Sequence, residues 1–240
     1  MDRLTPRQAV VIIARHPGDA RLSSLARDIG AGRLDDLLLA ILRDVIAAVV
    51  RVDGVSVTVV APTTVAAAHL RQVLPAGLDL IAPPQPVAGG RLRGFALAAH
   101  AHRGFERIVV IDGAVLRLTA RVIGTGLGAL ATADTVVGGF RRGSAYAFGV
   151  RDRHIPAVLP AALPIIDGHH SASEVQDRLR GLGLGCRRLD PLPTLDAFLT
   201  MDELRRAMTA LPGLGRHLSP ELTADPWVAP LPIEHPRPTT

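Results

Sequence analysis

Short, uninterrupted runs of apolar residues constrain the fold of this chain more than any other feature. The runs AVVIIA at 9–14 and IVVI at 108–111 contain no polar residue, and VSVTVVA at 55–61 is almost as apolar. Strands of this composition are typically buried on both faces, as in a parallel sheet covered by helices. Between them lie amphipathic stretches, such as 33–52, with apolar residues at helical spacing. The alternation predicts βαβ units and a mainly parallel sheet, hence an α/β fold.

The composition indicates one compact domain with an aliphatic core. The chain has 240 residues, of which 48% are hydrophobic but only 3% aromatic, so Ala, Val, Leu and Ile must build the core. This length is sufficient for a sizeable core in a single domain. From residue 220 onwards proline recurs without periodicity, which is typical of a surface-laid or disordered tail. We therefore predict a single domain over 1–219 and a Pro-rich tail over 220–240.

Arginine supplies all of the strong positive charge. The chain has 27 basic residues, no lysine and 22 acidic residues, for a formal net charge of +5. The absence of lysine excludes a Schiff-base lysine and a phosphate-binding loop of the G-K-[ST] type. The arginines are scattered among acids, and few aromatic residues are present for base stacking. We therefore expect no nucleic-acid partner.

The sequence also predicts the cellular location. Cys186 is the only cysteine, so no intramolecular disulfide can form and a reducing compartment is favoured. The first residues, MDRLTPRQ, show no signal-peptide pattern. The longest apolar stretch, 37–50, is interrupted by Arg43 and Asp44 and is too short to span a bilayer. We expect a soluble, cytoplasmic protein without a membrane partner, and the oligomeric state stays open.

Several arginines and glycines lie where a phosphate group could bind. Arg15 and Arg21 follow the first predicted strand, and Gly89 and Gly90 precede Arg91 at the start of a predicted helix. Glycines at a helix N-terminus let backbone N–H groups approach a phosphate, and an arginine can bind it through two hydrogen bonds. Ligands of α/β sheets usually lie at the carboxyl ends of the strands. We predict that these five residues bind phosphate, although each arginine could also be an ordinary surface residue.

Two further segments carry a family resemblance. The strand at 108–111 continues as DGAVL, beginning at Asp112, and a Gly-rich segment at 134–150 contains Arg142. In their order and spacing, these segments resemble small bacterial GT-A-like glycosyltransferases, which include the arsenosugar-biosynthesis type, over about residues 8–208. The resemblance implies a three-layer α/β/α, Rossmann-like fold of the nucleotide-diphospho-sugar transferase type. It also implies transfer of a sugar or nucleotidyl group from an activated nucleotide.

The chain departs from that family at the acidic positions. The family's acids after the central strand and in the Gly-rich turn correspond here to Ala114 and Arg142. A later segment, 197–204, lacks the two leading acids of the family's pattern, although Asp196 lies directly before it. Such carboxylates hold a divalent metal that offsets the charge of the leaving group. The resemblance therefore implies a degenerate metal site. Mg²⁺ or Mn²⁺ is expected only if Asp112 replaces the lost acids, and we predict catalytic roles for Asp112 and Arg142.

Two interpretations of these departures stay open. Either Arg142 pairs with a phosphate in place of the metal, or catalysis is lost and only binding remains. We favour the second, because several site elements have changed together. The predicted function is a divergent nucleotide-sugar or nucleotidyl transferase-like protein, weakly active or inactive as a metal-dependent enzyme. The alternative is a non-catalytic protein that binds a metabolite or partner, with its cleft filled by Leu116, Phe140 or the tail. Convergence of Asp112, Arg91 and Arg142 on an open cleft would favour transfer.

Overall fold

The computed structural model describes residues 7–85, 87, 91–101, 103–139, 145–156 and 170–210. The strands are β1 (Gln8–Ile13), β2 (Val55–Val60), β3 (Asp79–Ile81), β4 (Arg107–Asp112), β5 (Thr135–Gly139), β6 (Ala145–Arg151) and β7 (Cys186–Arg188). The helices are α1 (Ser23–Ile29), α2 (Ala31–Val49), α3 (Thr64–Val73), α4 (Arg91–His100), α5 (Ala120–Ala129), α6 (Ala172–Gly181) and α7 (Met201–Ala210).

The seven strands form one sheet in the order β3-β2-β1-β4-β6-β5-β7. Strands β1 to β4 pair in parallel, and β7 is parallel to β5. Strand β6 is antiparallel to both of its neighbours, β4 and β5. In the central pair, Ile13 at the end of β1 lies opposite Asp112 at the end of β4. The predicted mostly parallel sheet is confirmed.

Helices cover both faces of this sheet. Along β1, Val10 and Ile12 pack into a core formed with α1, α2, α3, α5 and α7. Ala9 and Val11 point the other way, into a core formed with α4 and α6. This alternation is the period-two geometry of a strand that is buried on both sides. The protein therefore has the three-layer α/β/α architecture that the sequence predicts.

The first two helices differ in part from the sequence prediction. The apolar side chains along one face of α2, which include Leu34, Leu38 and Ile41, are buried as expected. The helix begins at Ala31, because Gly30 adopts a φ of 83° and separates it from α1. Helix α1 was not predicted from the sequence. Leu25 is its only fully buried residue, so this short helix has no periodic apolar stripe.

Two further sequence predictions concern a membrane partner and the Pro-rich tail. None of the helices within the described ranges is long and apolar enough to cross a membrane. The Pro-rich tail predicted over 220–240 lies outside the described residues.

A polar network joins the buried His100 of α4 to exposed residues at the edge of the sheet. His100 is fully buried, with Nδ1 2.7 Å from the Ala96 carbonyl oxygen and Nε2 3.0 Å from the Thr58 hydroxyl. The Thr58 hydroxyl is also 3.0 Å from the Asp79 carboxylate, which in turn accepts from Arg103. Burial disfavours the charged imidazolium and lowers the pKa of His100 below its ordinary value of 6.5. His100 therefore prefers to be neutral in the folded state.

We expect His100 to make stability fall in mild acid. The unfolded chain binds a proton at this residue near its ordinary pKa, whereas the folded chain binds it only at lower pH. The contribution of neutral His100 to the free energy of unfolding is therefore complete above its pKa in the unfolded chain. It is lost as the pH falls towards its pKa in the folded protein. Between about pH 7 and pH 5.5, the free energy of unfolding in urea should fall more steeply for the wild type than for His100→Gln. His69→Gln, at an exposed position of α3, is the control; equal slopes for all three proteins would contradict the expectation.

Candidate functional site

The candidate site lies at the carboxyl ends of β1 and β4. The N–H of Gly113 donates to the Ile13 carbonyl oxygen at 2.8 Å, which holds the ends of the two strands together. A Cβ at Gly113 would lie 2.6 Å from that backbone oxygen, so only glycine fits this close approach. Arg15 and Asp112 lie on either side of this contact. The strand register and the glycine therefore bring them together although they are 97 residues apart.

Arg15 and Asp112 form a buried ion pair with two parallel hydrogen-bonding contacts. Arg15 Nε donates to Asp112 Oδ1 at 2.8 Å and lies 3.1 Å from Oδ2, and Arg15 Nη2 also donates to Oδ2. The side chains are only 5% and 2% exposed, respectively. This arrangement matches the planar guanidinium to the planar carboxylate, which is the strongest geometry for such a pair.

Two further groups satisfy the Asp112 carboxylate. The N–H of Ala114 donates to Oδ1 at 3.0 Å, and Arg93 Nη2 lies 3.4 Å from Oδ2. Arg93 is itself buried and donates to the Ala145 carbonyl oxygen at 2.6 Å, which joins α4 to β6. Burial alone would raise the pKa of Asp112, but the Arg15 guanidinium, assisted by Arg93, lowers it below the ordinary value of 3.8. Asp112 is therefore a carboxylate at neutral pH, with cations on two sides.

The ionic contacts continue from Arg15 towards the surface. Arg15 Nη1 donates to Asp19, and Arg15 Nη2 is 3.6 Å from Asp196 Oδ2. Arg21 lies 3.0 Å from Asp19 Oδ2 and 3.7 Å from Asp196 Oδ2. We call the set of Arg15, Arg21, Arg93, Asp19, Asp112 and Asp196 the arginine–aspartate cluster. The cluster thus contains equal numbers of cations and anions among the residues that the structure describes.

Asp196 reaches the cluster through a short turn that packs on the end of β4. The N–H of Leu116 donates to the Pro193 carbonyl oxygen at 2.8 Å, and the N–H of Leu195 donates to the Ala114 carbonyl oxygen at 2.9 Å. Thr194 donates from its hydroxyl to the Asp196 carboxylate. These contacts fix the side chain of Asp196, which is only 5% exposed. The turn thus supplies the third carboxylate of the cluster from a distant part of the sequence.

Of the predicted site residues, the structure brings Arg15, Arg21 and Asp112 together. Arg91 is exposed at the first position of α4, outside the arginine–aspartate cluster. Gly89, Gly90 and Arg142 lie outside the described residues, and so do Phe140 and the tail, two of the groups considered for filling the cleft. Leu116, the third, is buried in the core on the α2 face. The roles assigned to all seven site residues therefore stay predictions.

Sequence reasoning missed Arg93 and Asp19. Arg93 is one helical turn from Ala96 and Leu97, which are buried, so the apolar stripe of α4 places its side chain in the interior. That periodicity was a usable signal, but the resemblance drew attention to Arg91 instead. Asp19 caps the turn Ala20–Leu22 by accepting from the Arg21 backbone N–H, which is a local role that does not reveal its distant partner, Arg15.

The arginine–aspartate cluster does not fit a divalent metal. Such an ion needs several oxygen ligands with free lone pairs, but both oxygens of Asp112 already accept hydrogen bonds from guanidinium or backbone N–H groups. Ala114, the position at which the resemblance predicts a missing acid, is buried and offers only its backbone. Within the described ranges, no three His, Cys, Asp or Glu residues are arranged to hold a metal ion.

Comparison with known proteins identifies the fold. No family model matches the chain, and no curated protein matches it in sequence. A protein from Desulfovibrio desulfuricans G20, described as a nucleotide-diphospho-sugar transferase, is 15% identical with a TM-score of 0.63, over 77% of this chain and 80% of that one. A homolog of Mycobacterium tuberculosis Rv0371c from Mycobacterium sp. strain JC1 is 19% identical with a TM-score of 0.58, over 86% and 98% of the chains.

A third similar structure contains a nucleotide. CMP:2-keto-3-deoxy-manno-octonic acid synthetase, solved in complex with CTP, is 13% identical with a TM-score of 0.55, over 85% of this chain and 98% of that one. The chain therefore has the fold shared by nucleotide-diphospho-sugar transferases and nucleotidyltransferases. Identities this low establish the fold alone, so the resemblance to the arsenosugar-type family stays a prediction.

We expect the Arg15–Asp112 pair to be necessary for stability. Asp112→Asn removes the charge that compensates two buried guanidinium groups, and breaking a buried pair in this way typically costs about 3 kcal/mol or more. Total stabilities are only about 5 to 15 kcal/mol, so such a loss should be plain in urea unfolding. The exposed pair of Asp177 with Arg180 supplies the control, since Asp177→Asn should change stability by less than about 0.5 kcal/mol.

Two results would contradict this expectation. The first is a cost for Asp112→Asn as small as that for Asp177→Asn. The second concerns stability at low pH. Because the pKa of Asp112 is lowered in the folded state, its contribution to the free energy of unfolding is complete above its pKa in the unfolded chain. That contribution is lost as the pH falls towards its pKa in the folded protein. A wild-type protein that loses no more stability than Asp112→Asn below about pH 4 would therefore be inconsistent with the pairing.

Proposed function

We propose that this protein binds a nucleotide or nucleotide sugar at the carboxyl edge of its sheet without a divalent metal. We further propose that metal-dependent group transfer is weak or absent. The observation that supports both statements is the pairing of Asp112 with Arg15 and Arg93, because it commits the one acid at the end of the central strand to arginines. The fold supports the choice of ligand, since a protein of the same fold has been solved with CTP.

We assign the phosphate groups first to Arg21 and Arg91. Arg21 lies at the outer side of the arginine–aspartate cluster with its side chain 18% exposed, and Arg91 is exposed at the start of α4. A helix N-terminus and an arginine fork both favour a bound phosphate. Arg15 directs its donors at three carboxylates, so a phosphate contact by Arg15 requires that one of them be exchanged. If transfer occurs, arginine would offset the charge on the departing diphosphate.

The alternative is a non-catalytic protein that binds a metabolite or partner through the same fold. One observation favours it: both carboxylate oxygens of Asp112 accept hydrogen bonds from groups of the protein itself, so this buried acid is satisfied without a ligand. Enzymes of phosphoryl and glycosyl transfer need groups that are aimed at developing charge rather than at each other. The two functions are distinguished by whether a nucleotide binds at all.

Binding can be tested by thermal unfolding with CTP, UTP, GTP and UDP-glucose, each in Mg²⁺, Mn²⁺ and EDTA. A ligand at about 100 times its Kd stabilises a protein by about 2.7 kcal/mol, which for a domain of this size raises the Tm by about 5 to 10 °C. We expect one of these nucleotides to produce that shift equally in EDTA and in Mg²⁺. No shift with any nucleotide would leave the alternative, and a shift that requires the metal would contradict the metal-free site.

The same assay tests the proposed role of Arg21. Loss of a charged hydrogen-bond donor to phosphate should weaken nucleotide binding by about tenfold to a hundredfold in Arg21→Ala. Arg27→Ala is a matched control, because Arg27 is an exposed arginine of α1 whose side chain donates to the Ser23 carbonyl oxygen and the Ser24 hydroxyl. Titration calorimetry on both variants gives the affinities directly, and equal affinities would remove Arg21 from the site.

A further inference from the structure

Asp19 bridges two arginines at the outer side of the arginine–aspartate cluster. Its Oδ2 accepts from Arg15 Nη1 and, at 3.0 Å, from Arg21 Nη2. Its Oδ1 accepts from the backbone N–H of Arg21 at 3.0 Å and from Arg21 Nε at 3.3 Å. The carboxylate thus receives donors from two guanidinium groups and one backbone amide. Arginine forks and backbone N–H groups are also the donors with which proteins bind phosphate.

Burial distinguishes Asp19 from the other two acids of the cluster. The side chain of Asp19 is 15% exposed and that of Arg21 is 18% exposed, whereas those of Asp112 and Asp196 are 2% and 5% exposed. A carboxylate near the surface can exchange its arginine contacts for water at a smaller cost than a fully buried one. Asp19 is therefore the acid of the cluster that a ligand from solvent can displace most easily.

The hydrogen bonds of the three acids differ in the same sense. Asp112 accepts from the Ala114 N–H as well as from arginine, and Asp196 is held in the turn that packs on the end of β4. Within the described ranges, each hydrogen bond that the Asp19 carboxylate accepts comes from one of the two arginines that it bridges. A phosphate group in the same place would meet all of these donors.

We propose that Asp19 is an internal competitor of the ligand. Its carboxylate occupies a phosphate subsite between Arg15 and Arg21, and a phosphate group binds there by displacing it. Arg15 keeps its pair with Asp112 through Nε and Nη2 during this exchange, since only Nη1 changes its partner. The inference deepens the proposed function and rests on it for the class of ligand. It identifies which of the three carboxylates around Arg15 gives way.

The experiment compares the binding of inorganic pyrophosphate by the wild type and Asp19→Asn, measured by titration calorimetry in EDTA. The amide oxygen of Asn can still accept from the Arg21 N–H, so the turn Ala20–Leu22 keeps its cap while the competing charge is removed. We expect Asp19→Asn to bind pyrophosphate at least about tenfold more tightly than the wild type. Equal affinities, tighter binding by the wild type, or no binding by either protein would overturn the proposal.

Three controls locate the bound pyrophosphate. Asp177→Asn makes the same change in net charge at an exposed pair with Arg180 and should bind as the wild type does. The double variant Asp19→Asn/Arg21→Ala lacks one arginine of the subsite and should lose the gained affinity. Asp19→Asn/Arg27→Ala lacks an exposed arginine of α1 and should keep it. A gain in Asp177→Asn, or a gain that survives the loss of Arg21, would mean that the anion binds elsewhere and that the proposal is wrong.

A crystal structure of the wild type with saturating pyrophosphate tests the exchange without any variant. We expect a phosphate group between the guanidinium groups of Arg15 and Arg21, with the Asp19 side chain rotated towards solvent. A phosphate bound while Asp19 still contacts both arginines would overturn the proposal.

Titration with CTP separates this inference from the proposed function. If CTP binds equally to the wild type and Asp19→Asn, the proposed function holds and the inference fails. If no nucleotide binds but Asp19→Asn gains affinity for pyrophosphate, the subsite exists and the proposed nucleotide function fails.

Discussion

The ion pair between Arg15 and Asp112 is the interaction on which the site depends. It closes the carboxyl ends of the two central strands, where the parallel register sets Ile13 opposite Asp112 and Gly113 lets the backbones touch. Everything else in the arginine–aspartate cluster is arranged around this pair. Asp19 and Asp196 contact the same guanidinium, and Arg93 contacts the same carboxylate from α4.

A buried ion pair of this kind does not by itself make a protein stable, because desolvation opposes the attraction between the charges. Its effect is to make the alternatives costly: once both charges are buried, removal of either leaves the other unpaired. The pair therefore fixes the chemistry at this edge of the sheet. The carboxylate at the end of the central strand is held by arginine, whose charge keeps the pKa of Asp112 below its ordinary value.

Much of the fold could be predicted from the sequence, because local patterns determine it. The runs at 9–14 and 108–111 are too apolar for anything but buried strands, and the stripe of α2 has helical spacing. The short helix α1 was missed because seven residues with one fully buried side chain carry almost no periodic signal. The strand ends differ from the prediction by one residue, whereas the end of α2 differs by three, since terminal residues are weakly specified.

The candidate site was less predictable, because its contacts join residues that are far apart in the sequence. The positions of Asp112 and Arg15 at strand ends placed both at the correct edge of the sheet, but nothing local shows that they pair with each other. Arg93 could have been found from the buried face of α4, whereas the contact of Asp196 with Arg15 depends on the path of the turn before α7. Motif matching drew attention to acids that are missing, and the structure shows how the remaining acids are neutralised.

The most direct test of this account is a crystal structure of the protein with CTP and Mn²⁺, with diffraction measured at the manganese absorption edge. The account predicts electron density for the nucleotide phosphates beside Arg21, an intact pair between Arg15 and Asp112, and no anomalous peak within bonding distance of Asp112. A manganese peak coordinated by Asp112, with Arg15 turned away from it, would contradict the central claim that arginine, and not a metal ion, holds the Asp112 carboxylate.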